Sequence, residues 1–238
     1  MTSYPASRFS APKLKTTLVR DETYAGLTYH IEGELVPTLT VELDSQPVYF
    51  EHHVISWKEP HVQIGVMPLK GAVKRMIAGM QVIVTKATGP GMVAFSRDGA
   101  GQIVPIHLEH GQALDVREHQ FLAATASLEY TFKRVKGISN LLLGGTGFFV
   151  DTFRATGGPG ILWLHGYGNV SEKMLAPGEA IDVEPGAWVY KDPSVTMETN
   201  FQNLSTGFFG SLSFVMNRFT GPGRVGLQSM YLHSPTEG

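Results

Sequence analysis

The 238-residue chain contains no cysteine, which excludes a disulfide framework, a thiolate zinc site and a cysteine nucleophile together. It also lacks an apolar run approaching the ~20 residues of a membrane helix. The nearest stretch, 141–150, is broken by Gly144, Gly145 and Gly147. Charge is sparse: Lys+Arg 19 against Asp+Glu 21, 17% charged residues and a formal charge of -2. Such a balance gives no overall field to draw the chain to polyanions or membranes. So little Glu and Lys argues against a helical bundle, a coiled coil or a charged disordered tail.

Motifs of catalysis are missing too. The chain has no Gly-x-Ser-x-Gly elbow, no His-Glu-x-x-His helix motif and no His-x-His pair, so a serine-hydrolase, zincin or cupin-like metal site has no sequence support. Gly145-Thr146-Gly147 and Gly166-Tyr167-Gly168 are fragments of nucleotide fingerprints without a following helix, and read better as turn and bulge glycines.

What is abundant is turn chemistry, with Gly 27 and Pro 14. Gly-Pro-Gly occurs three times, at Gly89-Pro90-Gly91, Gly158-Pro159-Gly160 and Gly221-Pro222-Gly223. Proline presets φ and glycine supplies the positive φ that other residues resist, so each is a turn. A second element repeats in step: 45–51 matches 111–117 at an offset of 66, and that matches 178–184 at 67. The register carries on, with Val54 to Ile64 lying over Ala187 to Met197. Such self-similarity marks three copies of one structural unit.

Each copy reads as strands. Leu39, Val41 and Leu43 alternate with polar residues, as do Leu128, Tyr130 and Phe132, and Val195, Met197 and Thr199, the period of half-buried strands. The runs before each Gly-Pro-Gly, 82–84, 148–150 and 214–216, are continuously apolar, which predicts strands covered on both faces. Strands resume at 92–95, 161–164 and 225–227, and the one helix candidate is Leu69 to Ala78. A copy of ~66 residues is small for an independent core. The expectation is therefore a single all-β domain of three pseudo-symmetric lobes. It runs from 27 to 232, with repeats at 27–91, 92–160 and 161–223 and a strand at 224–232 that returns to the first lobe. An arm (1–26) precedes it and a tail (233–238) follows. The arm's basic, acid-free first 20 residues resemble a transit peptide in composition, but Pro5 and Pro12 interrupt an amphipathic helix, which favours an extended arm lying on the body.

The Ala176-Pro177-Gly178-Glu179 turn, the Glu184 to Tyr190 stretch, Gly144 to Phe149 and the closing Thr220 to Val225 resemble the altered-inheritance-of-mitochondria family, once catalogued as a domain of unknown function. That family is in turn similar to the tryptophan RNA-binding attenuation protein superfamily. The resemblance covers about Leu27 to Leu232 and implies a short double-stranded β-helix fold and assembly into oligomers, since the attenuation proteins work as rings. It implies no reaction and no cofactor. A mitochondrial role attaches to longer fungal members, whereas this chain looks more like the bacterial ones, which implies a cytoplasmic location.

Among polar residues, His52, His53, His61, His107, His110 and His119 invite a metal reading. Adjacent His52 and His53 on a strand would face opposite ways, and the repeat register puts Gly186 where His53 and His119 stand in the other copies. Asp115 and Asp182 share one repeat position and read as capping or ladder residues rather than an acid/base pair. The recurrent charge pattern is cationic: Lys70, Lys74 and Arg75 in the first copy, Lys133, Arg134 and Lys136 in the second. These six are the candidate anion-binding residues, for nucleic-acid phosphate or a lipid headgroup. The leading expectation is nevertheless a non-enzymatic scaffold or binding protein, a homodimer or homotrimer, with the Phe148-Phe149 or Phe208-Phe209 edge at its interface; anion binding and a cupin-like metal enzyme are the alternatives.

Overall fold

The computed structural model describes residues 13–14, 19–44, 46–66, 84–135, 148–205 and 211–230, and every regular element among them is a strand. The helix candidate at 69–78 lies outside the described residues, as do the side chains of Phe148, Phe149, Phe208 and Phe209. The chain enters through β1 (Lys13–Leu14), β2 (Val19–Tyr24) and β3 (Leu27–Glu32). The first lobe then runs through β4 (Thr38–Leu43), β5 (Val48–Glu51), β6 (Ile55–Lys58), β7 (Gln63–Val66), β8 (Val84–Thr88) and β9 (Gly91–Phe95). The second comprises β10 (Gly101–Leu108), β11 (Ala113–Arg117), β12 (Phe121–Thr125), β13 (Leu128–Val135), β14 (Phe148–Ala155) and β15 (Gly160–Tyr167). The third comprises β16 (Val170–Leu175), β17 (Ala180–Val183), β18 (Trp188–Lys191), β19 (Thr196–Ser205), β20 (Ser211–Thr220) and β21 (Gly223–Gln228).

Each lobe is two antiparallel triplets. The inner ones are β4-β9-β6, β10-β15-β12 and β16-β21-β18; the outer ones are β5-β8-β7, β11-β14-β13 and β17-β20-β19. Gly-Pro-Gly always connects the central strand of the outer triplet to the central strand of the inner one. Gly91, Gly158 and Gly223 hold φ of 125°, 122° and 138°, the conformation glycine alone adopts without steric cost. The turn is pinned from outside in the same way three times. Side-chain oxygens of Glu59, Thr125 and Asp192, spaced at the repeat offsets, accept the amides of Met92 (3.1 Å), Ile161 (3.0 Å) and Arg224 (2.8 Å). A register shift recurs as well, between Ile55/Trp57, Phe121/Ala123 and Trp188/Tyr190.

Lobes are joined edge to edge. β12 of the second lobe pairs with β5 of the first, and β18 of the third with β11 of the second. The cores follow these joints. The first-lobe core takes in Ile103, Leu122, Ala123, Ile161 and Trp163 of the second lobe, while the neighbouring residues Val104, Phe121, Ala124, Leu162 and Leu164 face the second core. All eight residues of β15 are consequently buried. In the second lobe the strand after Gly-Pro-Gly is thus covered on both faces; of the runs before Gly-Pro-Gly, Val150 is buried, but Val215 and Met216 in β20 are only half-buried. The physical reason is position, since β15 divides two cores whereas β20 lies in an outer triplet.

The closing strand also differs from expectation. β21 does not return to the first lobe; it pairs with β16 and β18 as the central strand of its own inner triplet, as β9 and β15 do in theirs. The outer edge of β16 is instead taken by β1, through Lys13 and Leu14, so this part of the N-terminal arm lies on the body as a strand.

Gly89 and Gly221 are equivalent, and a Cβ on either would collide with a backbone carbonyl oxygen, of Leu43 or Ala176. A Cβ on Gly65 meets nothing within 4 Å. Gly89→Ala and Gly221→Ala are each expected to destabilise by about 2 kcal/mol or more, against less than about 0.5 for Gly65→Ala, read by urea denaturation.

Candidate functional site: the joints between lobes

Of the six cations singled out in the sequence, Lys70, Lys74, Arg75 and Lys136 lie outside the described residues. Lys133 and Arg134 are on β13, and the exposed Lys133 ammonium lies 3.8 Å from the Asp115 carboxylate. His52 and His53 occupy a turn and not a strand, so their rings do not point apart but meet at a centroid distance of 3.4 Å. His107 is held by Glu22 at 2.9 Å under the stacked ring of Tyr24. Among the described residues no group of three or more His, Asp or Glu is placed to hold a metal ion.

The joints are where the chemistry concentrates. At the second-to-first joint Ala124 lies opposite Tyr49; at the third-to-second joint Lys191 lies opposite Asp115. The same ladder position is thus apolar in one joint and ionic in the other. Lys191 Nζ donates to Asp115 Oδ2 at 2.9 Å and to the Val195 carbonyl at 2.9 Å, while Thr152 Oγ1 donates to Asp115 Oδ1 at 2.7 Å. Burial pushes the Asp115 carboxyl up, but the bonds from Lys191 and Thr152 outweigh it and hold the group below the ordinary carboxylate range. Asp182, the repeat counterpart of Asp115, sits at the edge strand β17 and is gripped by Arg218 through two bonds of 2.7 Å. Both aspartates are ladder residues, as expected.

A second buried cation, Lys173, stands on β16 where the paired registers put Val41 on β4 and Ile106 on β10. Its ammonium reaches Glu179 in the following turn at 2.7 Å, and that bond draws the Glu179 carboxyl below its usual range. A lysine at a core position is tolerated because its long stem packs while its tip reaches a carboxylate.

Beside the joints lies a polar group that the sequence patterns did not single out. Arg97 binds Glu51 and the Phe121 carbonyl. His165 is fully buried on β15, edge-on to Tyr167 at 5.0 Å. Arg117, the repeat counterpart of Glu51 and Glu184, is pulled down by burial and supported by Glu184 and Glu118. Among the described residues, the Nε atoms of Arg97 and Arg117 and Gln120 Oε1 are buried without a hydrogen-bond partner. His165 was hidden because it sits in the apolar run 161–167. Its one signal was the repeat register, in which Ser96, His165 and Gln228 each donate a backbone amide to Val54, Gln120 and Ala187.

A single all-β chain of three joined lobes, with an ionic ladder pair at one of its two joints, belongs to the class of internally repeated β proteins. A family model described as "Mitochondrial biogenesis AIM24" matches residues 29–230, and the chain belongs to this family. Among solved structures it is similar to protein SPYM3_0169 from Streptococcus pyogenes, with a TM-score of 0.66 and 21% identity over 86% of this chain and 94% of that one. At that identity the likeness is one of fold. No curated protein matches the chain.

Replacing Lys191 alone strands a buried carboxylate. Lys191→Met is expected to cost roughly 3 kcal/mol, and adding Asp115→Leu to restore most of it, a double-mutant cycle read by urea denaturation. His165 titrates at about 4 in the fold, where burial and then Arg97 oppose its charge. The unfolded chain takes up the proton near its ordinary pKa of about 6.5. Stability contributed by neutral His165 is therefore full above pH 6.5 and lost as the pH falls toward 4, by up to about 3 kcal/mol. His165→Gln should flatten that part of the stability–pH curve, measured as the difference from wild type.

Proposed function

We propose that the chain is a non-enzymatic scaffold or binding protein that associates with copies of itself. One observation carries this reading: β6 and β17 each end a sheet, at the positions where the other lobes are joined. A strand edge with free amide and carbonyl groups is a template for another strand. The deployment of buried ionisable groups supports the same reading. Asp115 is engaged by Lys191, Lys173 by Glu179, Arg97 by Glu51, and the Tyr190 hydroxyl by Glu172 at 2.6 Å, so they brace the fold. The similarity to the ring-forming attenuation proteins fits an assembled state.

The anion-binding reading has less behind it. Lys133, the one member of the basic cluster whose side chain is described, already faces Asp115, which offsets its attraction for phosphate. The family description ties the chain's relatives to mitochondrial biogenesis; for this chain a cytoplasmic location goes with the scaffold reading and a mitochondrial one is the alternative. Among the described residues no helix is long and apolar enough to cross a membrane.

Light scattering at micromolar concentration tests self-association. A mass of two or three chains is expected, and a constant 26.0 kDa across a tenfold dilution series begun at high concentration overturns it.

A further inference from the structure

We propose that β6 and β17 form a docking surface for a second copy of this chain, β6 of one copy pairing antiparallel with β17 of the other. This rests on the self-association argued above and adds its place and register. The molecule supplies its own controls, because the same joint is made twice inside it. The second-to-first joint sets Ala123 and Ala124 opposite Phe50 and Tyr49; the third-to-second sets Tyr190 and Lys191 opposite Val116 and Asp115. Moved by the repeat offsets, the corresponding residues of a third joint are Trp57 and Lys58 on β6, opposite Val183 and Asp182 on β17.

Burial shows that this third joint is not made within the chain. Ala123 and Tyr190 are 0% exposed, whereas Trp57 in the same position is 47% exposed. Lys191 is buried and Lys58 exposed; Val48 and Leu114 are fully buried, while their counterpart Ile181 is half-buried. Among the described residues, the third-lobe core contains Val150 of the second lobe and nothing from the first. A large aromatic ring on an unpaired strand edge is apolar surface waiting for cover.

The charges say what covers it. Lys58 opposite Asp182 repeats Lys191 opposite Asp115. Lys58 Nζ already donates to the carbonyl of the next residue, Glu59, at 3.3 Å, as Lys191 Nζ does to Asp192 at 3.5 Å, so its backbone setting matches that of the lysine in the made joint. On the other side Arg218 lies opposite Asp182 in the β17–β20 ladder as Thr152 lies opposite Asp115 in β11–β14. Among the described residues, Asp182 is thus held from one flank by Arg218 and open on the flank a lysine would occupy. The complement of each edge is present on this chain, so the occupant is a second copy. Reciprocal exchange between two copies closes a dimer, and a one-way exchange makes a ring where its rotation closes.

The absence of native cysteine makes the register directly testable. Lys58→Cys and Asp182→Cys variants, each carrying one thiol, are mixed and oxidised. Opposed residues of an antiparallel ladder have Cα atoms about 4.5–5.5 Å apart, within disulfide reach. A 58–182 disulfide in excess of either like-with-like dimer by about tenfold, seen on non-reducing gels and by mass spectrometry, is expected for such a fit. A statistical mixture of the three dimers, or no disulfide, while wild type still scatters as an assembly, overturns this surface and leaves self-association standing. A single-chain mass for wild type overturns self-association itself. Closure of a 58–182 disulfide within one chain of the double variant, in place of cross-linking between chains, overturns the second copy as the occupant.

Discussion

A β-strand edge cannot be left to itself, and that constraint organises this molecule. Each lobe is two triplets of strands, and every triplet has two edges whose amides and carbonyls need partners or water. The chain meets the need by lending the inner triplet of one lobe to the outer triplet of the lobe before it. The same arrangement lets cores be shared. β15 turns Ile161 and Trp163 into the first core and Leu162 and Leu164 into the second, which is why one strand can be buried along its whole length. A lobe of this size buries too little apolar surface to stand alone, and the joint is what makes three of them one domain.

Identical topology leaves room for different chemistry at the joints. One carries Ala124 against Tyr49, the other Lys191 against Asp115. An ionic pair in a buried ladder adds little net stability over an apolar pair, because both charges must first be desolvated. It does penalise any slip of register, since a one-residue shift would leave both charges unpaired. Lys173 with Glu179 has the same character in place of Val41 and Ile106. The third lobe is the one that departs from the apolar pattern of its siblings, and among the described residues it is also the one whose outer triplet is joined to no other lobe.

The polar group around Arg97, Arg117, Gln120 and His165 sits beside these joints rather than in a separate centre. A neutral imidazole buried between an arginine and a tyrosine ring is stable only while it stays unprotonated, so acid acts on the centre of the fold as well as on its surface carboxylates.

Repetition was legible in the amino-acid order by itself, because Gly-Pro-Gly demands a conformation few residues reach, and because alternation at Leu39 to Leu43 and Leu128 to Phe132 is a local property of a strand with one wet face. The all-β class and the threefold unit follow from such local signals. What local signals do not carry is which edge meets which. Nothing in residues 223–228 distinguishes a strand that returns to the first lobe from one that completes the third. Only the three-dimensional pairing placed β21 between β16 and β18. Nor could spacing reveal that Lys191 would meet Asp115, 76 positions away, or that His165 would lie in an apolar strand between two cores. Burial and charge pairing are properties of the assembled sheets, and those were decided by tertiary structure.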